Sequence, residues 1–242
     1  MSQPFLTAEW RYLAMLNFRI DPAVLQPLVP AGTELDFHKG ETFVSVVGFL
    51  FLNTRVCGVP IPFHRNFEEV NLRFYVRRRV QDEWRRGVTF VRELVPRQAI
   101  ALVARTFYNE PYLALPMRHR IVHEQRVHEQ RELSVEYAWS RNGRWERLAM
   151  TAAGEPQAIT PGSLEEFITE HYWGYTACGG ECSEYGVEHP PWRVWNAPAW
   201  KLDADVARLY GVGFVPALTA PPISAFIAEG SPITVRRCSR GR

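Results

Sequence analysis

One stretch decides how the chain folds: Tyr108-Asn109-Glu110-Pro111-Tyr112-Leu113-Ala114-Leu115-Pro116-Met117-Arg118-His119-Arg120. It follows a segment of helical spacing, residues 97–107, and leads into a charged strand. Two prolines fix the backbone angle φ within the stretch, and two tyrosines supply aromatic anchors. We therefore expect a tight, ordered connection between a helix and a strand.

The segment that carries the clearest alternation is residues 69–77, which predicts a strand with two different faces. The apolar face consists of Val70, Leu72, Phe74 and Val76, and the polar face of Glu69, Asn71, Arg73, Tyr75 and Arg77. Residues 87–95 follow as the returning strand. This pair predicts a hairpin whose polar face either lines a pocket or faces water.

The rest of the chain predicts mostly strands, at residues 10–20, 42–52, 133–139, 145–150 and 233–236. Residues 34–38 and 42–52 are expected to form a hairpin, and Asn142-Gly143 signals another. Short helices are predicted at residues 22–28, after the capping pair Asp21-Pro22, after the capping box that begins at Ser163, and at residues 203–210. Because no linker divides the chain, we expect one α+β domain, residues 1–242, built on a curved antiparallel sheet.

Composition narrows the class of protein. The chain has 242 residues, of which 46% are hydrophobic and 13% aromatic, with a formal net charge of +2. This charge creates no field that demands nucleic acid, and no apolar stretch reaches the length of a membrane span. The N-terminus lacks the pattern of a signal peptide, and four cysteines make no disulfide framework. We expect a cytoplasmic protein that binds a small molecule. The sequence is also compatible with a homo-oligomer.

Several motifs along the chain resemble those of a known family. They are Asn66-Phe67-Glu68-Glu69-Val70-Asn71-Leu72-Arg73, Pro116-Met117-Arg118-His119, His171-Tyr172-Trp173-Gly174 and Glu229-Gly230-Ser231-Pro232. They are similar to those of the YqjF-like family, bacterial proteins of unknown function that are placed near acetoacetate decarboxylase. The resemblance covers nearly the whole chain. It implies a cone-shaped antiparallel β-barrel with short flanking helices and a pocket inside.

The resemblance also assigns roles to individual residues. In the decarboxylases an aromatic-Pro-Lys-Lys run supplies the lysine that forms a Schiff base, and here Leu115-Pro116-Met117-Arg118 stands in its place. Arg11 falls where that family keeps a pocket arginine, and Glu69 where it keeps a catalytic carboxylate. Imine chemistry requires a neutral amine, which neither methionine nor arginine supplies. The scaffold therefore looks like that of a decarboxylase without its nucleophile.

The remaining polar residues form a candidate pocket. Glu69 is the candidate catalytic acid or base, and the candidate substrate-binding residues are Arg11, Asn71, Arg73, Tyr75, Met117, Arg118 and His119. Arginines hold carboxylates through paired hydrogen bonds, which favours a small carboxylate or carbonyl compound as the ligand. The alternatives are a structural ion pair of Glu69 with Arg73 or Arg118, and solvated strand faces for Arg11 and Arg118.

Three other clusters have structural interpretations that we prefer. His119, His123 and His128 lie in a predicted strand, and Cys178 and Cys182 flank a Gly-Gly turn, so we expect no metal and no cofactor. The arginine-rich tip around Gln81-Asp82-Glu83 is expected to be a solvated turn rather than a nucleic-acid site. The sequence thus predicts a small-molecule-binding protein that acts, if it is an enzyme, through Glu69. The alternative is a ligand-binding or structural protein without turnover.

Overall fold

The computed structural model describes residues 4–98, 110–124 and 131–241 of the chain. Its longer strands are β1 (Pro4–Ile20), β3 (Thr42–Val56), β5 (Phe67–Val80), β6 (Glu83–Val95), β8 (Met117–Glu124), β9 (Glu132–Arg141), β10 (Arg144–Ala153), β12 (Trp173–Cys178), β13 (Glu181–Glu188), β15 (Ala199–Asp203) and β16 (Ser224–Arg236). Its shorter strands are β2 (Glu34–Leu35), β4 (Val59–Pro60), β7 (Tyr112–Ala114), β11 (Gln157–Ala158), β14 (Arg193–Asn196) and β17 (Ser239–Gly241). The α-helices cover Pro22–Leu25, Leu164–Thr169, Val206–Tyr210 and Val215–Leu218, and 3-10 turns cover Gln26–Leu28 and Val212–Phe214.

The larger sheet closes on itself. Hydrogen-bonded pairing runs from β16 through β1, β3, β5, β6, β12 and β13, and a further pairing of β13 with β16 completes the ring. The pairing of β6 with β12 is parallel, whereas the other pairings in this ring are antiparallel. A separate four-stranded sheet has the order β15-β10-β9-β8.

The alternation predicted for β5 is confirmed, because its two faces belong to two different cores. Val70, Leu72 and Phe74 are fully buried in one core, together with Tyr137 and Leu148 of the four-stranded sheet. The opposite face contributes Tyr75 to the second core, inside the ring, which also contains residues such as Leu13, Val47 and Phe226. The ring therefore packs against the smaller sheet on its outside and keeps a partly polar interior.

The predicted hairpin of residues 34–38 and 42–52 is wrong in its strand pairing, although its tight turn forms, with two backbone hydrogen bonds of 3.0 Å between His38 and Glu41. Strand β2 pairs with Val76 and Arg77 of β5, and the expected turn retains only the isolated bridge between His38 and Glu41. The backbone N–H of Asp36 donates to the carbonyl of Tyr75 at 3.0 Å, which continues this attachment to β5. Asp36 is thereby buried next to β5.

The predicted caps form, although two helices are shorter than expected. Asp21 accepts a hydrogen bond from the backbone N–H of Ala23 at 2.8 Å, and Ser163 accepts one from Glu166 at 3.2 Å. The first helix tightens into a 3-10 turn from Gln26, where Pro27 has no N–H to continue an α-helix.

The helix predicted at residues 203–210 begins only at Val206, because Asp203 ends strand β15 and Asp205 is the cap. The helix predicted at residues 97–107 lies largely outside the described residues, as do Tyr108 and Asn109. Among the residues that are described, no helix is long and apolar enough to cross a membrane.

Candidate functional site

The ring encloses a cavity of about 220 Å³ whose wall is mostly apolar. Aromatic side chains make up much of this wall, including Trp10, Phe49, Phe51, Phe67, Phe90, Trp173 and Trp192. The polar lining is concentrated in a few groups, among them three carboxyl side chains and one guanidinium. An apolar wall with a few convergent polar groups is the usual form of a small-molecule site.

The three carboxyl groups, which we call the carboxyl cluster, are Glu69, Glu93 and Glu110. They are 3%, 1% and 6% exposed, although glutamate is rarely buried without an ionic partner. Glu69 lies on β5, Glu93 lies opposite Asn71 on β6, and Glu110 lies two residues before the start of β7. Strands β5 and β6 of the ring, together with the segment that leads into β7, thus bring the carboxyl cluster to the cavity wall.

Neutral hydrogen-bond donors hold the carboxyl cluster. Glu69 accepts from the side-chain amide of Asn71 at 3.0 Å and from the hydroxyl of Tyr112 at 3.1 Å. Glu110 accepts from the hydroxyl of Tyr185. The Oε2 atom of Glu93 is buried and has no hydrogen-bond partner among the described residues. This oxygen is available to a molecule in the cavity.

Burial raises the pKa of every member of the carboxyl cluster. It raises the pKa of Glu69 to about 7 and that of Glu110 to about 8, and it raises the pKa of Glu93 well above its ordinary value. Charge repulsion within the cluster adds to this effect for Glu93 and Glu110. At neutral pH the cluster therefore holds protons that isolated glutamates would have lost, so it can both donate and accept a proton.

Arg73 supplies the guanidinium of the cavity. It is 9% exposed, and its Nη2 donates to the carbonyl of Ile168 at 3.2 Å. Its Nε is buried and has no hydrogen-bond partner in residues 4–98, 110–124 and 131–241. A buried cationic donor with an unused N–H favours an anionic ligand.

His171 lines the cavity next to this arginine and belongs to a buried network. Its Nε2 lies 3.3 Å from Oδ2 of Asp36, which also accepts from Nε of Arg86 at 2.7 Å. Burial lowers the pKa of His171 to about 4, so the ring is neutral at pH 7. Burial opposes ionisation of Asp36, but the hydrogen bonds from His171 and Arg86 outweigh it and lower the pKa of this carboxyl.

Four of the residues predicted from sequence lie in the ring interior. Glu69, Asn71 and Arg73 line the cavity. Tyr75 is fully buried beside them, with its hydroxyl 2.5 Å from that of Ser45 and its ring 5.8 Å from the guanidinium of Arg73. The polar face of β5 is therefore buried from Glu69 to Tyr75, and the alternative that Asn71 and Tyr75 face water is wrong, whereas Arg77 at the end of this face is partly exposed.

Arg11 does not join these residues in the cavity. Its guanidinium pairs with Glu9 at 2.6 Å and is 34% exposed. The reason is a β-bulge, in which Tyr12 has a φ of 54° and the pairing of β1 with β3 shifts between Arg11 and Ala14. The bulge lets Trp10 and Leu13 both line the cavity and leaves Arg11 outside it.

Met117, Arg118 and His119 lie on β8 of the smaller sheet, so the structure does not bring them to the cavity. Met117 packs on the core between the sheets, and Arg118 stacks on Trp145 at 4.1 Å. His119 is exposed and lies 2.6 Å from Glu68. A substrate-binding role for these residues and for Arg11 stays a prediction.

The structure adds polar residues that the sequence reasoning missed. These are Glu93, Glu110, Tyr112, Tyr185 and the pair of Asp36 with His171. Glu110 and Tyr112 stand in the stretch that organises the fold, where the prolines and tyrosines received only a structural interpretation. Their proximity to Glu69 depends on the parallel pairing of β7 with β6, which no local pattern signals.

The cysteine pair Cys178 and Cys182 and the two lysines lie outside the cavity. Cys178 and Cys182 flank a turn in which Gly179 and Gly180 have positive φ, as predicted, and the cysteines are unlinked. His128 lies outside the described residues, and the described ones contain no group of side chains that would hold a metal. Both lysines, Lys39 and Lys201, are exposed and do not line the cavity.

Comparison with known proteins gives consistent matches. The model of the DUF2071 family, described as "Uncharacterized conserved protein", matches residues 7–232. The chain is 28% identical over 207 residues to "Uncharacterized protein YqjF" of Bacillus subtilis (strain 168), across 84% of this chain and 80% of that protein.

Two solved structures share the architecture. Acetoacetate decarboxylase from Legionella pneumophila aligns with a TM-score of 0.66 and 12% identity, over 100% of this chain and 88% of that one. The enduracididine biosynthesis enzyme MppR, complexed with pyruvate, aligns with a TM-score of 0.64 and 12% identity, over 99% and 91%. These alignments confirm the expected α+β, acetoacetate decarboxylase-like fold.

Proposed function

This chain belongs to the DUF2071 family, and on that premise we propose that its cavity binds a small carboxylate or carbonyl compound with an apolar or aromatic body. The aromatic wall suits the apolar body, and the unused Nε of Arg73 suits the carboxylate. A structural neighbour with the same fold, MppR, is complexed with pyruvate, a small 2-oxo acid. The proposed ligand class is therefore a 2-oxo acid that is larger than pyruvate.

The proposed reaction is proton exchange at the carbon next to the carbonyl group. The ionised form of Glu69 takes a proton from C3 of the 2-oxo acid, and the electron pair of the broken C–H bond forms the C2–C3 double bond. The carbonyl electrons move to the oxygen, which a neutral carboxyl of Glu93 or Glu110 stabilises by hydrogen bonding. Return of a proton from Glu69 to C3 restores the substrate, so no further reactant is needed.

The observation that carries this proposal is the burial of the carboxyl cluster against an apolar cavity together with Arg73. Burial of several acids without an equal number of cations costs stability, and such costs are concentrated at functional sites. An imine does not enter the mechanism, because the lysines of this chain are Lys39 and Lys201, which are exposed.

The test is exchange of the C3 protons of 2-oxo-4-phenylbutanoate in deuterium oxide, followed by proton NMR. The wild-type protein is expected to accelerate the loss of the C3 signal above the rate in buffer. Glu69→Gln is expected to reduce that acceleration by about 100-fold or more, since a positioned base contributes about that factor.

Glu68→Gln is the matched control, because Glu68 is the neighbouring residue on β5 and pairs with His119 outside the cavity. It is expected to exchange at the wild-type rate. If Glu69→Gln also exchanges at that rate, the assigned role of Glu69 is refuted. If the wild-type protein binds the compound without accelerating exchange, it is a binding protein without turnover.

A further inference from the structure

We infer that His171 is a second ligand-binding residue of the cavity, whose Nδ1 accepts a hydrogen bond from a hydroxyl carried next to the ligand's carboxylate. This inference rests on the proposed function: the enol form of the proposed 2-oxo acid carries such a hydroxyl, and a 2-hydroxy acid with the same apolar body carries one as a non-reacting analogue.

Asp36 fixes the orientation of the imidazole. Its Oδ2 lies 3.3 Å from Nε2 of His171 and accepts from Nε of Arg86 at 2.7 Å. The backbone N–H of Asp36 is bound in turn to the carbonyl of Tyr75 at 3.0 Å. Since an ionised carboxylate only accepts hydrogen bonds, Nε2 carries the imidazole proton and Nδ1 keeps a lone pair.

The lone pair on Nδ1 accepts no hydrogen bond from the described residues. Nδ1 is buried and has no hydrogen-bond partner there, although the side chain of His171 is only 1% exposed. Leaving a buried acceptor without a donor is costly, and binding sites often contain such atoms because a ligand completes them. The ring lines the cavity, so a molecule inside it can provide the donor.

Arg73 lies nearby and carries a donor that complements this acceptor, an Nε–H without a hydrogen-bond partner among the described residues. Both side chains pack around Tyr75, whose ring centre lies 4.7 Å from that of His171 and 5.8 Å from Cζ of Arg73. Arg73 has an unused cationic donor at Nε, and His171 has an unused neutral acceptor at Nδ1. A carboxylate with a hydroxyl on the adjacent carbon presents both an anionic acceptor for Arg73 and a donor for His171.

The test compares two probes that differ by one hydroxyl, 3-phenyllactate and 3-phenylpropanoate, by calorimetric titration. The wild-type protein is expected to bind 3-phenyllactate about threefold to tenfold more tightly, the usual effect of one hydrogen bond. His171→Phe is expected to bind both probes with equal affinity. His189→Phe is the matched control: His189 also lines the cavity but stacks on Trp192, and this variant is expected to keep the preference.

A measurement on the wild-type protein avoids dependence on the folding of a variant. Nitrogen NMR is expected to show Nδ1 of His171 unprotonated, with a shift on addition of 3-phenyllactate but not of 3-phenylpropanoate. Equal affinity of the wild-type protein for both probes, a preserved preference in His171→Phe, or a protonated Nδ1 would each overturn the inference while leaving carboxylate binding intact. Failure of both probes to bind would instead refute the proposed function.

Discussion

At the scale of single residues, protonation of the carboxyl cluster links stability to pH. Glu110 has a pKa of about 8 in the folded protein because it is buried, whereas the unfolded chain returns it to an ordinary value near 4.5. The folded state therefore holds this proton more tightly. Its contribution is complete below about pH 4.5 and is lost as the pH rises through 8, at up to about 1.4 kcal/mol per pH unit.

Glu110→Gln is accordingly expected to flatten the dependence of the free energy of unfolding on pH between about 5 and 8. Glutamine keeps an acceptor for the hydroxyl of Tyr185 but cannot ionise. Urea denaturation at several pH values would measure the change, with the exposed Glu155→Gln as a control that keeps the wild-type slope. An unchanged slope in Glu110→Gln would show that this carboxyl does not hold its proton in the folded state.

The position of Glu93 opposite Asn71 could not be predicted from the local sequence. The two-residue turn between Val80 and Glu83 sets a register that pairs Arg73 with Phe90, and continuing it would place Arg92 opposite Asn71. A bulge after Phe90 shifts the register by one residue, so Glu93 takes that position. The alternation of β5 was therefore sufficient to predict that Glu69, Asn71 and Arg73 share one face, and the family resemblance implied the role of Glu69. The position of Glu93 depends on the bulge, which no local pattern encodes.

At the scale of elements, one short helix positions Arg73, the guanidinium of the cavity. The helix Leu164–Thr169 ends next to the ring and offers the carbonyl of Ile168 to Arg73. Its N-terminal cap, Ser163, was predicted from sequence because capping chemistry is local. The contact with Arg73 spans 95 residues and depends on how the helix packs, so the sequence did not predict it.

Ser163→Ala is expected to lower the free energy of unfolding by about 1 kcal/mol, the usual effect of a lost cap, and to weaken binding of 3-phenylpropanoate. Asp205→Ala removes the cap of the helix Val206–Tyr210, which contributes no residue to the cavity wall. It is expected to cost similar stability without affecting binding. Equal effects of both variants on binding would show that the first helix does not position Arg73.

At the scale of the whole molecule, the ring and the four-stranded sheet meet at a glycine. A Cβ added at Gly48 would lie 2.6 Å from Cδ2 of Tyr137, a rigid ring whose hydroxyl donates to the carbonyl of Tyr12 at 2.9 Å. This close approach lets the smaller sheet cover the apolar face of β3 and β5. The sequence predicted strands of both sheets from their periodicity, but it assigned them to one curved sheet and could not predict that two sheets pack together here.

Gly48→Ala is therefore expected to lower the free energy of unfolding by about 1 to 3 kcal/mol through overpacking, as measured by urea denaturation. Gly186→Ala is the matched control, because its added Cβ would lie at least 3.6 Å from the nearest atom, Cγ of Arg236. A cost for Gly48→Ala no greater than that for Gly186→Ala would mean that the sheets separate readily.

The pairing of β13 with β16 closes the ring, and this affects how a ligand enters and leaves the cavity. Two neighbouring strands of a closed ring part only when the hydrogen bonds between them break, and this is slow compared with side-chain motion. We therefore expect passage past the more exposed lining residues, here called the rim, which include Ile61 and His64. Residence time would follow the bulk of those rim residues more closely than the strength of the contacts deep inside.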